Sequence, residues 1–318
     1  MRKNTCLAAL LALGACSEGR DTKTTNPDSG TPASGDGADG AGDGGAGDGG
    51  DGSGDGGDGS GDSGDGGDGG APTAVLSCSM EGRSLTVDGS ASVDPLGEGL
   101  RYRWSTLASP AAGLTLDLGT SATDAAVLPL LGSYTVQLIV ADRDDQESAP
   151  ATCEVTRSTT LGLVVELVGT GPSDGDADFD LHLAHSGAGF FAVPGDASWC
   201  NASDPGPDGT DRTDDDLVQV SDSRGGPPPD VEVMEVAVPG PVIHTPRVHV
   251  YTIADEGSED VPLGAEVRIW VGGVLTATEV LGAIAQREVW TPGTWDADAG
   301  TWTPDASAPE WSSTVSCP

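Results

Sequence analysis

The sequence predicts an all-β protein: a flexible acidic arm followed by two β-sandwich-like modules. Two observations carry that expectation. Apolar stretches are strand-length and bounded by Gly, Pro, Asp or Ser, and no segment of the folded part repeats its apolar residues at helical spacing. Tyr134-Thr135-Val136-Gln137-Leu138-Ile139-Val140 alternates large apolar with intervening residues, as does Asp178-Phe179-Asp180-Leu181-His182-Leu183, so each strand would bury one face.

Residues 1–15 read as a secretory leader. Arg2 and Lys3 precede an apolar run from Leu7 to Leu13, and the small residues Gly14 and Ala15 stand before Cys16. The run is too short for the roughly 20 residues that span a bilayer. Leu13-Gly14-Ala15-Cys16 resembles the bacterial lipobox. That resemblance implies cleavage before Cys16, acylation of its thiol, and, with Ser17 next, sorting to the outer membrane, facing either the periplasm or the cell exterior.

Residues 16–71 are expected to be a disordered linker. From Gly35 to Gly70 only Gly, Asp, Ala and Ser occur, so nothing there can bury enough apolar surface to offset the entropy of ordering the chain. A Gly/Ser-type linker of this length reaches roughly 40 Å, and repulsion among its Asp side chains extends it. Gly61-Asp62-Ser63-Gly64 matches the loop around a trypsin-like nucleophile, but the same letters recur throughout a Gly/Asp/Ser repeat.

The formal net charge is −37, and after Lys3 the only lysine is Lys23. Arginines in the folded part are scattered singly, so nucleic acid is excluded as a partner and anionic surfaces should repel the chain. Outside the reducing cytoplasm, Cys78, Cys153, Cys200 and Cys317 are expected to form two disulfides. Two flank the first module and two the core of the second, which predicts Cys78–Cys153 and Cys200–Cys317.

The first module, residues 72–157, contains strand candidates at 74–79, 84–87, 100–104, 125–128, 134–140 and 152–156. Val87-Asp88-Gly89-Ser90-Ala91-Ser92-Val93-Asp94-Pro95, Leu100-Arg101-Tyr102-Arg103-Trp104 and Gly132 to Asp142 resemble the PKD family of immunoglobulin-like sandwiches. Ser105-Thr106-Leu107 replaces the Phe-Gly-Asp-Gly turn that often follows the tryptophan in that family. The resemblance implies a spacer, or a protein- or carbohydrate-contact module, rather than a catalyst. Trp104 and Tyr134 are expected in the core, with Asp88 and Asp94 as turn-formers.

The second module, residues 160–318, opens with the apolar run Leu161 to Val168. On the next strand Phe179, Leu181 and Leu183 should face a core, placing Asp178, Asp180 and His182 together on the other face. Two carboxylates about 7 Å apart on one face repel, and a cation or a neighbouring arginine would relieve them. Asp174, Asp176, Asp178 and Asp180 alternate in an oxygen-rich stretch of the kind hard cations prefer, making calcium the candidate cofactor, with Asp214-Asp215-Asp216 able to complete the shell. Asp-x-Asp-Leu-His, the Trp199-Cys200-Asn201 loop and Val248-His249-Val250-Tyr251 resemble an uncharacterised β-rich domain found beside PKD modules in bacterial lipoproteins.

Trp295 to Trp302 reads as a hairpin that brings its tryptophans near each other. With His182, these two are a candidate binding face; the competing expectation is that such rings cover a sheet edge or pair across strands. No HExxH helix, Walker loop or nucleotide fingerprint occurs in the folded part, so the chain is not expected to be an enzyme. The sequence therefore favours a lipid-anchored binding or adhesion protein for a protein or glycan ligand. A passive envelope spacer is the alternative, ahead of a carbohydrate-active enzyme.

Overall fold

A computed structural model describes residues 70–170, 177–192, 195–199, 201–204, 216–221, 229–253, 263–285 and 287–312. The leader, Cys16, nearly all of the linker, Asp174, Asp176, Asp214, Asp215, Cys200 and Cys317 lie outside the described residues. What is described is all-β.

The first module contains β1 (Ser77–Glu81), β2 (Ser84–Asp88), β3 (Arg101–Ala108), β4 (Thr123–Val127), β5 (Gly132–Ala141) and β6 (Ala151–Arg157). They form two antiparallel sheets, ordered β1-β2-β4 and β3-β5-β6. Each strand expected from the sequence is present, with ends shifted by a few residues. Tyr134, Val136, Leu138 and Val140 on β5 are fully buried against Leu85, Val87, Trp104 and Leu128, as alternation requires. The expected disulfide joins Cys78 on β1 to Cys153 on β6, tying one sheet to the other. Asp88 and Asp94 accept backbone N–H groups of Ser90, Leu96 and Glu98, so both shape turns. Gly89 is required by space: a Cβ there would stand 2.6 Å from Leu138 Cδ2 and 3.2 Å from the Trp104 ring.

The second module begins with β7 (Leu163–Thr170), β8 (Ala177–His185), β9 (Asp196–Ala197), β10 (Ser203–Asp204), β11 (Leu217–Ser221) and β12 (Asp230–Val236). It continues through β13 (Ile243–Ile253), β14 (Leu263–Val271), β15 (Val274–Ile284), β16 (Glu288–Trp290), β17 (Gly293–Asp296), β18 (Thr301–Pro304) and β19 (Glu310–Trp311). One sheet runs β10-β11-β12-β7-β14-β15. In the other, β13 pairs with β8 along one edge and with β16 and β17 along the opposite edge, while β18 and β19 extend the sheet outwards. Leu163, Val165 and Leu167 of β7 meet Phe179, Leu181, Leu183, Val248 and Val250 in the core between the sheets.

The nearly continuous apolar run of β7, interrupted by Glu166, has its explanation on the other face of its sheet. Val164 and Val168, with Val231 and Val233 of β12, pack against Ala111, Leu130 and Leu131 of the first module. A central strand buried on both faces carries no polar alternation. Both modules fall within one compact unit. Polar links surround this contact. Arg157 pairs with Glu235 at 2.7 Å, Arg268 Nη2 donates to Pro110 O, and Arg83 Nη1 donates to Val220 O.

Candidate functional site

The chain has four histidines, and all of them lie on β8 and β13. The antiparallel register sets His249 opposite Asp180, Arg247 opposite His182, and His244 opposite His185. Because Phe179, Leu181, Leu183, Val248 and Val250 point into the core, Asp180, His182, Arg247 and His249 share the reverse face. Sequence reasoning placed Asp180 and His182 together there, and the structure does the same.

That face is covered. His182 is 0% exposed, and Asp180 and His249 are also buried. After β8 the chain turns back and lays Phe190 and Phe191 across it: the His182 ring centroid is 4.4 Å from that of Phe190 and 4.6 Å from that of Phe191. The same two rings stand 5.5 and 6.3 Å from His249. Phe191 has φ 57°, a conformation rare for a bulky side chain. Asp196 holds it there, since Oδ2 accepts the Phe191 N–H at 2.6 Å and lies 3.0 Å from His182 Nδ1. A carboxylate only accepts, so His182 Nδ1 carries the hydrogen. Its Nε2 is buried and has no hydrogen-bond partner among the described residues.

Further along β8, His185 Nε2 lies 3.0 Å from Asp204 Oδ1, and Asp204 Oδ2 accepts the Gly195 N–H. Carboxylates of β12 serve the backbone of β8: Asp230 accepts from Phe179 N–H and Glu232 from Leu181 N–H. Acidic side chains thus satisfy strand donors that pair with no neighbouring strand.

Of the residues expected to hold calcium, Asp178, Asp180 and Asp216 are described. Asp180 Oδ2 faces His249 Nδ1 at 3.4 Å in a buried setting, so an imidazole sits beside that carboxylate. Asp178 is on the same strand face at the half-buried end of β8. Among the described residues, no three carboxylate, imidazole or thiol groups converge as a metal site.

The tryptophan hairpin forms as expected, with Trp295 on β17 paired to Trp302 on β18. It is no open binding face. Trp295 is 5% exposed within the sandwich core, and Trp302 packs on that core while its Nε1 donates to Glu279 of β15 at 2.9 Å. These rings close the sheet edges, so of the candidate face His182, Trp295 and Trp302, the first two are sealed inside.

The surface feature beside this cluster is a cleft of about 380 Å³ between the outer face of β13 and the chain around residues 305–312. Phe190 and Arg247 form its base, and Asp305, Ser307, Glu310 and Trp311 its rim. Phe190 therefore belongs to both places, one wall of the cleft and the cover of His182. Arg247 Nη2 donates to Ala188 O at 3.0 Å, while its Nη1 is buried without an acceptor among the described residues. Burial pulls the Arg247 pKa down, and the nearby Asp196 charge offsets part of that. Hydrogen bonds from Ser307 hold the Asp305 carboxyl below its ordinary range. Trp311 is 66% exposed. Sequence reading passed over Phe190, Asp196, Arg247 and Trp311 as site residues: Phe190, Asp196 and Trp311 reach their places through a loop or a short strand, and Arg247, on the central strand β13, gains its place only from what lies over that face; the Phe190-Phe191 pair, in a chain with three phenylalanines, was the available signal.

Fold and site together define a two-module all-β chain with a small amphipathic cleft on the second module. No protein-family model matches the chain, and no curated protein matches it in sequence. Among solved structures it is similar to the chitinase ChiA74 from Bacillus thuringiensis, with a TM-score of 0.20 and 12% identity, over 66% of this chain and 28% of that one. The chain thus spans well under a third of that enzyme's length, and a likeness this distant bears on neither mechanism nor substrate.

Proposed function

We propose that this is a lipid-anchored, extracytoplasmic binding protein, acylated at Cys16. In this reading it carries a PKD-like sandwich and a second β-sandwich at the end of an acidic tether, and it takes its ligand in the cleft over Phe190 and Arg247. The observation that carries the reading is the cleft, which places an exposed indole, an arginine and two carboxylates around one concavity. Concave sites with an apolar wall and a few placed polar groups are the usual form of small-ligand pockets, which span about 300–1,000 Å³. Binding is favoured over catalysis because the imidazoles best placed for proton transfer, His182 and His249, are shut beneath Phe190 and Phe191.

Fractionation and surface proteolysis test the anchor. Wild-type protein is expected with the membranes, and Cys16→Ser in the soluble fraction. Recovery of the wild type in the cytosol with residues 1–15 intact would overturn the reading. Adherence of the purified mature chain to intact cells or extracted envelope material separates binder from spacer: no adherence to either favours the passive spacer.

A further inference from the structure

Resting on that reading, we propose that the cleft is a saccharide site: a neutral, hydroxyl-rich ring stacks on Trp311 and hydrogen-bonds to Arg247, Asp305, Ser307 and Glu310.

Three independent features converge on this chemistry. Trp311 is the one aromatic side chain among the exposed large hydrophobic residues described, and it sits on β19, a two-residue strand held by β16 at the rim of the cleft. A lone exposed indole is ordinary; one facing a cavity is a flat apolar platform with a polar edge. At the base, Arg247 lines the cleft and brings the one positive charge of the set beside it. A guanidinium only donates, so the partner it suits is a ligand oxygen. Around the rim, Asp305 and Glu310 offer acceptors and the Ser307 hydroxyl offers either role.

Ligand classes can be sorted against this set. A simple hydrophobe leaves the rim unmatched. An anion meets Asp305, Glu310 and a chain of net charge −37. A basic peptide suits the two carboxylates but brings positive charge onto Arg247. A sugar ring presents C–H groups on one face for Trp311, hydroxyl donors for the carboxylates and oxygen acceptors for the guanidinium, without a net charge. The Phe190 wall adds a second apolar surface, and its position is set from behind by the buried His182–Asp196 pair.

The test is calorimetric titration of the mature chain with cellohexaose, maltohexaose and mannohexaose at low and high salt, repeated for Trp311→Ala and Glu310→Gln. At least one hexasaccharide is expected to bind, with little dependence on salt. Trp311→Ala should weaken it about tenfold or more, equivalent to about 1.4 kcal/mol, while the melting temperature stays at the wild-type value. Absence of binding by all three overturns the proposal, as does equal binding by Trp311→Ala. Salt-sensitive binding of hexalysine that Glu310→Gln abolishes overturns it in favour of a basic peptide. Envelope adherence that persists without hexasaccharide binding and still requires Trp311 rejects the ligand class but leaves the cleft as the binding site. Adherence indifferent to Trp311→Ala rejects the cleft itself.

Discussion

Glu166 Oε1 accepts the backbone N–H of Leu131 at 2.5 Å, a hydrogen bond that joins the middle of β7 to the loop leading into β5 of the other module. Glu166 is fully buried, its Oε2 accepts Trp270 Nε1–H at 2.8 Å, and Leu130 and Leu131 pack beside it on Val164 and Val168. Tyr134 braces the same loop from the first module, donating its hydroxyl to Leu130 O and accepting Leu130 N–H, in a setting where burial lifts its pKa to about 12. The contact between modules is therefore specified by polar groups as well as by apolar area.

Glu166 makes that contact sensitive to pH. Burial raises its carboxyl pKa above 4.5, and the bonds from Leu131 and Trp270 with the Arg268 and Arg157 charges offset only part of the rise. A raised carboxyl pKa in the folded state gives a contribution fully present below the unfolded value and lost as pH climbs through the folded value. The stability of Glu166→Gln relative to wild type should therefore increase from pH 4.5 upward, read by denaturant titration at several pH values. A difference that stays flat, or moves the other way, would contradict the assignment.

Reduction of Cys78–Cys153 should weaken the first module most. The bridge closes a loop with a sequence separation of 75, for which chain entropy gives about 4–5 kcal/mol as an upper figure. The Cys78→Ala/Cys153→Ala double variant is expected to melt well below the wild type in a scan following Trp104. An unchanged melting curve would show that the two sheets hold together without it.

Asp196→Ala removes one carboxylate from two buried donors, Phe191 N–H and His182 Nδ1–H. Leaving such donors unsatisfied costs about 1–3 kcal/mol. Loss of stability in that range is expected, together with increased protease cleavage between residues 186 and 197, where the φ 57° conformation of Phe191 loses its restraint. Neutral behaviour on both counts would mean that the loop is held by its aromatic packing alone.

Trp295 and Trp311 should respond in opposite ways to truncation. Trp295→Ala opens a cavity in the core of the second sandwich and is expected to cost about 3–5 kcal/mol. Trp311→Ala removes a mostly exposed ring and should change stability by less than about 0.5 kcal/mol. Chemical denaturation of the two variants side by side decides the matter; equal losses would show that the tail packs differently.

How much was legible in the letters follows from which forces are local. Strand alternation is local, so the six strands of the first module and the inward face of Phe179, Leu181 and Leu183 could be read directly. Cysteine position relative to those strands was enough for Cys78–Cys153. The pairing of Trp295 with Trp302 was legible too, because eight residues with a Gly-containing turn leave few alternatives.

The sequence by itself determined an all-β chain, the six strands of the first module and a few of the second, one disulfide and the shared face of Asp180 and His182. Tertiary structure alone decided that this face would be sealed by Phe190 and Phe191, that Trp295 would be core and Trp311 surface, and that β7 would be buried on both sides. The physical reason is range. Periodicity reports which side of a strand avoids water, whereas the identity of what covers the other side depends on loops and neighbouring modules brought together across tens of residues, whose contacts leave no periodic mark on the chain.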